Sequence, residues 1–194
     1  GFGSAYIRYY SKYKAKKDEE SISKLNGTFL IVYSVIAVVA LVAGIVLISN
    51  IDLIFKNGLT QNEIYQSRIL MSFMVFNLVI SFPMSVFISN IIANEKFFFQ
   101  KLVGSINTVI NPFIMLPVLL MGYKSVGMVV ATTILGLFNS GLNIWYCFKK
   151  IGIKFSFGKF DFGLMKEISI FSSYIFLNMI VDQINWNIDR FLLG

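Results

Sequence analysis

No histidine occurs anywhere in the 194 residues, and there is one cysteine, Cys147. Without imidazole, these residues cannot supply His-based acid–base catalysis, a Ser–His–Asp nucleophile or the commonest metal ligand. A single cysteine closes no intrachain disulfide and belongs to no metal-binding spacing. Charge is scarce as well. Asp, Glu, Lys and Arg make up 14% of the chain and hydrophobic residues 56%, whereas a soluble domain carries about 25% charged residues. The carboxylates are scattered rather than paired. Gly1-Phe2-Gly3-Ser4 is too little for a phosphate loop, and no repeat of solenoid period is visible. Asn26-Gly27-Thr28 fits a glycosylation sequon, but it falls on the side expected to be cytoplasmic and is a chance match. The chain therefore reads as no enzyme, with no catalytic residue, cofactor or metal expected.

What the chain does have is long uncharged runs. Residues 28–49, 69–94, 102–123 and 125–148 contain no Asp, Glu, Lys or Arg. A hydrocarbon core about 30 Å thick is crossed by about 20 apolar helical residues, and each run is long enough. A fifth segment, Ile168–Leu192, is also long enough but is interrupted by Asp182, Asp189 and Arg190. Barrel strands would be about 10 residues long and would alternate apolar with polar. The expected fold is all-α: a polytopic integral membrane bundle of five helices at about 28–49, 69–93, 102–121, 125–148 and 168–194.

Basic residues set the orientation. Summed over alternate connections, thirteen fall on one side and three on the other, with Arg190 left inside the last helix. Short-loop Lys and Arg stay in the cytoplasm. Residues 1–27, 95–101 and 149–167 are thus expected to be cytoplasmic, with the start of the chain inside and the protein multi-pass in the cell membrane. The net charge of +7 then needs no nucleic acid, because basic loops lie against anionic lipid headgroups. The Ser11–Lys24 tract reads as a solvated loop. A start at Gly1 rather than Met, and a stop just after the fifth helix, read as an internal piece of a longer protein.

Polar residues inside the spans form stripes. Thr132, Gly136, Asn139 and Asn143 recur at helical spacing, and Gly136 with Ser140 makes a small-xxx-small step that admits close helix approach. Asn107 and Asn111 lie one turn apart beside Pro112 and Pro117, whose missing donors invite a kink. Asn77, Ser81, Pro83, Ser85 and Ser89 mark the second span, while the first, Thr28–Ser49, is nearly all aliphatic and is expected to face lipid. In the fifth, Tyr174, Asn178, Asp182, Asn185 and Asp189 share one side. Asp182 lies about 24 Å beyond Lys166 at ~1.5 Å per residue, deep in the hydrocarbon. A carboxylate there costs about 2.5–3.5 kcal/mol on insertion scales, so its side should face protein or water. Asp189 and Arg190 reach the outer interface, with Trp186 as an interfacial aromatic.

Arg8-Tyr9-Tyr10, GYKSVGMVVATTI (122–134) and FDFGLMKEISIFSSYIFLNMIVDQINWNIDRFLLG (160–194) together resemble the oligosaccharide flippases. These are the polysaccharide biosynthesis proteins of the superfamily that also holds MATE multidrug exporters and lipid II flippases. The resemblance implies a larger two-lobed transporter of twelve or more helices, of which this chain is similar to helices three to seven plus the end of the second. Residues 1–27 would be the end of that preceding helix and a basic loop, and 28–148 four helices of the first lobe. Residues 149–167 would be the interlobe loop, and 168–194 the first helix of the second lobe. The implied function is translocation of a polyprenyl-diphosphate-linked oligosaccharide for cell-surface polysaccharide. Arg8 and basic loop residues at the inner mouth are then candidate diphosphate partners, and Asn178 and Asp182 candidates for sugar hydroxyls or a coupling cation. Membrane lipids and other polysaccharide-assembly proteins are the implied partners. The alternatives are a MATE-type multidrug/cation antiporter of the same fold and, from another class, a membrane glycan polymerase or acyltransferase.

Overall fold

The computed structural model describes residues 2–54, 60–158 and 162–193, with side chains for 2–52, 60–158 and most of 163–183. Every regular element among them is helical. In chain order they are α1 (Phe2–Ala15), α2 (Glu19–Ser49), the short α3 (Ile51–Ile54), α4 (Gln61–Ala93), α5 (Phe97–Leu120), α6 (Lys124–Tyr146) and α7 (Phe162–Leu193). A five-residue π turn, Cys147–Ile151, prolongs α6. Four helices are long and apolar enough to cross a bilayer: α2, α4, α5, and α6 with its π turn. That makes the chain compatible with a multi-pass membrane protein. The expected fifth span lies within α7, whose 32 residues extend about 48 Å, but α7 is not among those four.

Local chemistry explains the boundaries. Asp18 caps α2 by accepting from the Ser21 backbone at 2.9 Å and its hydroxyl at 2.6 Å. Thr60 and Glu63 form a reciprocal capping box on α4, satisfying donors that a helix start leaves unpaired. Three-residue turns join α4 to α5 and α5 to α6, so those neighbours run antiparallel. Pro83, Pro112 and Pro117 all sit inside continuous helices.

Two expectations need correction. The basic tract at 11–24 is not one solvated loop: α1 runs to Ala15 and α2 starts at Glu19, leaving only Lys16–Asp18 between them. The Asp18 cap and a Glu20–Lys24 pair at i,i+4 favour helix where hydropathy falls silent. Nor does the first span face lipid all round. Val35, Val39, Val42 and Val46 are more than half exposed, but Tyr33 and Ala37 are buried. Gly44 meets the side chain of Val75, which brings α2 close against α4.

The core lies toward one end of the bundle. Ala5, Tyr6, Tyr9 and Tyr10 of α1 pack with Leu25, Phe29 and Tyr33 of α2, Val86 and Ala93 of α4, and Ile168 of α7. A second cluster, Phe87, Ile91, Cys147 and Ile153, adjoins the end of α6. By contrast α5 has no buried residue. Lipid tails are as apolar as leucine, so helix association in a membrane gains little from apolar burial and needs close fit or hydrogen bonds.

Candidate functional site

The densest polar structure is a junction where α1, the start of α2, the end of α4 and the segment after the π turn meet. Tyr6 donates from Oη to Asn26 Oδ1 at 2.5 Å and accepts from Asn90 Nδ2 at 2.8 Å. Asn26 Nδ2 donates in turn to the Lys154 carbonyl at 2.8 Å. All three side chains are at most 1% exposed. A second tier follows one turn on: Asn94 Nδ2 donates to Tyr10 Oη at 2.8 Å, and Lys14 Nζ donates to Asn94 Oδ1 at 2.9 Å. Tyr6, Tyr10 and Lys14 recur at steps of four on α1, and Asn90 and Asn94 at the same step on α4. Each stripe therefore presents its polar groups to the other.

The segment after the π turn is held against this junction. Gly152 turns the chain at φ +73°, a left-handed conformation that a β-carbon disfavours. Ser156 N then donates to the Ser23 carbonyl at 2.9 Å. The Ser156 carbonyl lies where a β-carbon on Gly27 would project, so glycine is what lets the connection reach α2. Lys154 Nζ and Glu19 pair at 3.6 Å, both largely exposed. Between these elements opens a cavity of about 540 Å³ lined by Tyr10, Lys14, Lys17, Glu19, Asn26 and Lys154, among others. Three ammonium groups and one carboxylate line a mouth whose floor is the asparagine–tyrosine network.

The residues singled out from sequence lie elsewhere. Arg8 leaves α1 from about the opposite side to Tyr6 and Tyr10. Its guanidinium stacks on Phe171 of α7, 4.5 Å from the ring centroid. On α7, Tyr174, Asn178 and Asp182 are exposed, so the described part of the polar stripe turns away from the packed bundle. Phe171 is in helical register with Asn178 and Asp182, which puts Arg8 on that stripe's side of α7, and none of the described hydrogen bonds or ion pairs joins Arg8 to either. The side chains of Asn185, Trp186, Asp189 and Arg190 lie outside the described residues.

The α6 stripe divides. Asn143 is buried and accepts from Gln100 Nε2 of α5 at 3.1 Å. Thr132 bonds its own helix at Met128 and Val129, and Asn139 bonds back to Leu135. Gly136 has nothing within reach of a β-carbon. The link to α4 comes instead from Thr133, whose Oγ1 accepts from Asn77 Nδ2 at 2.8 Å.

Sequence reasoning weighed Asn26 only as a glycosylation match, and it did not group Tyr6, Asn90 and Asn94. The pairs Tyr6/Tyr10 and Asn90/Asn94, each one turn apart at the polar ends of their helices, are the signal that could have found them. Comparison with protein-family models, with curated proteins and with solved structures finds no match to this chain.

Proposed function

We propose that the chain is the helix-three-to-seven portion of a two-lobed flippase. It would carry polyprenyl-diphosphate-linked oligosaccharide across the cytoplasmic membrane, with α7 as a fifth span opening the second lobe. The observation that carries the reading is the exposed stripe Tyr174, Asn178 and Asp182 on a helix of membrane-crossing length. A carboxylate and a carboxamide on such a face are costly against lipid, so the face borders water or further protein. Sugar hydroxyls are matched by such groups through hydrogen bonds, and Arg8 on the same side is matched to a diphosphate by its planar donors. Translocation then needs no covalent step: the lobes rock about a site near mid-membrane.

Asp182 also favours a second reading, a cation-coupled drug antiporter, because an intramembrane acid can exchange a cation for a substrate. One experiment separates the two. The full-length protein is reconstituted in liposomes and challenged with a fluorescent polyprenyl-diphosphate oligosaccharide, and separately with a cationic dye under an imposed ion gradient. Lipid-linked glycan flipping that falls in Asp182→Asn at unchanged abundance supports the flippase. Gradient-driven dye movement without glycan flipping supports the antiporter. If Asp182→Asn lowers abundance and activity together, the aspartate is one half of a buried pair, whose rupture costs about 3–5 kcal/mol, and the cavity role fails.

A further inference from the structure

The cavity at the polar junction is distinct from the α7 stripe and independent of what the chain transports. Its cations come from three separate places in the chain. Lys14 belongs to the last turn of α1, Lys17 to the α1–α2 turn, and Lys154 to the segment after the π turn. Each ammonium is held differently. Lys14 is tethered to Asn94 and lies 5.9 Å from the centroid of the Tyr10 ring. Lys17 follows at a left-handed backbone position, φ +57°, and enters none of the described ion pairs. Lys154 is offset by Glu19 at a long 3.6 Å. Asp18 and Glu20 are not among the lining residues, and Glu20 pairs with Lys24. The walls therefore carry a net positive charge that the protein does not neutralise. Asn26 Nδ2 donates to the Lys154 carbonyl and Asn90 Nδ2 to Tyr6 Oη, while Tyr10 Oη accepts from Asn94. The lysines are the charged donors that address a ligand, beside the Tyr10 hydroxyl.

We infer that this cavity is a phosphate-binding site, taking the phosphate of an anionic phospholipid headgroup or a free phosphate group. The chemistry is that of three point-charge donors converging on a compact anion. The volume exceeds what a phosphate alone fills, leaving room for the glycerol of a headgroup. Bound there, a phosphate bridges the α1–α2 turn and the connection that leads to α7. It adds an ionic clasp across a contact otherwise made by Asn26–Lys154 and Ser23–Ser156 hydrogen bonds and the long Lys154–Glu19 pair. Glu19 is the internal competitor: its carboxylate occupies Lys154 whenever the site is empty of anion.

The test places the chain in nanodiscs of neutral phosphatidylcholine, with and without phosphatidylglycerol, and separately titrates inorganic phosphate into the neutral discs. Retained lipid is counted by native mass spectrometry, and thermal unfolding is followed in parallel. For the lipid source, phosphatidylglycerol should be retained and raise the unfolding temperature. For the soluble source, inorganic phosphate should raise it saturably in neutral discs. In either case Lys14→Gln, Lys17→Gln and Lys154→Gln should each weaken binding about fivefold, and the triple variant about a hundredfold, at roughly 1 kcal/mol per cation near a membrane surface. Glu19→Gln should strengthen binding by a few-fold. A control replacing Lys149, Lys150 and Lys166 with Gln keeps the same net charge as the triple variant and should bind as the parent does. The site is refuted if neither ligand binds the parent, if the control loses as much as the pocket triple, or if Glu19→Gln weakens binding. The lysines are solvent-facing, and unfolding in neutral discs without phosphate verifies that the variants fold. Loss of glycan flipping would leave this result untouched, because no step of it requires transport.

Discussion

Asparagine serves opposite ends at the α1–α2–α4 junction and on the α5–α6 hairpin. At the junction, Asn26 and Asn90 are almost wholly buried, and each is bonded to a different helix or to the connecting backbone. On the hairpin, Asn111 is exposed, Asn139 bonds its own helix, and Asn143 accepts from Gln100 to join α5 to α6. Glycine divides the same way. Gly27 and Gly44 sit under a neighbouring backbone or side chain, whereas Gly104, Gly136 and Gly141 face open space and Gly127 meets Val118 and Tyr123 at the hairpin's own turn. The same residue types thus lock one region and leave the other with a bare polar and small surface. In a membrane, where apolar contact with lipid competes evenly with apolar contact between helices, satisfied hydrogen bonds and close backbone approach decide where a bundle is tight.

The sharpest way to break this contrast is Asn26→Leu against Asn111→Leu. The first strands the Tyr6 hydroxyl and the Lys154 carbonyl and should cost about 2–3 kcal/mol. The second should be nearly silent, and thermal unfolding in nanodiscs reads both. Equal effects would mean that the junction network carries no special share of stability.

Gly27→Ala should come next. Its β-carbon collides with the Ser156 carbonyl, so the connection must shift, at about 1–3 kcal/mol as for other overpacked sites. Increased proteolysis within 152–158 would locate the damage. Gly104→Ala and Gly136→Ala, with nothing to meet, should instead be neutral or stabilise by up to about 1 kcal/mol through helix propensity. A loss at either would reveal a partner surface already packed there.

Gln100→Ala, which cuts the hydrogen bond across the hairpin, should cost only about 0.6 kcal/mol, the average for interhelical hydrogen bonds in a membrane. A cost matching that of Asn26→Leu would erase the distinction between the regions. The smallest effect is a pH dependence at the α2 cap. Hydrogen bonds from the Ser21 side chain and backbone hold the Asp18 carboxyl below its ordinary 3.8. Its folded pKa is therefore depressed, so the cap's stabilisation is present above that ordinary value and is lost as pH falls through the folded one. Asp18→Asn should flatten this acid limb of the unfolding profile without moving the neutral plateau.

The hairpin is the more legible region in the sequence. Uncharged length alone marks α4, α5 and α6, because the bilayer imposes a fixed thickness on any segment that crosses it. The junction was less legible. Its asparagines are ordinary by type and lie at span ends, where hydropathy is indifferent. Their pairing joins Tyr6 to Asn90 and Asn26 to Lys154 across long sequence separations. The predicted α6 stripe was half right for a related reason. Thr132 and Thr133 differ by about 100° on the helix, and periodicity within one helix carries no mark of which side meets α4.

Composition and charge order, then, were sufficient to set the chain's class: long uncharged helices whose connections are basic on alternate sides, because desolvating a charge or an unpaired peptide group in hydrocarbon is prohibitive. Which polar residues would be buried, which would stay open, and that lysines from the end of α1, the α1–α2 turn and the segment after the π turn would line one cavity were decided only by the packing of α1, α2 and α4. Hydrogen bonds between side chains far apart in sequence depend on register and rotation, and each helix acquires those only from its neighbours.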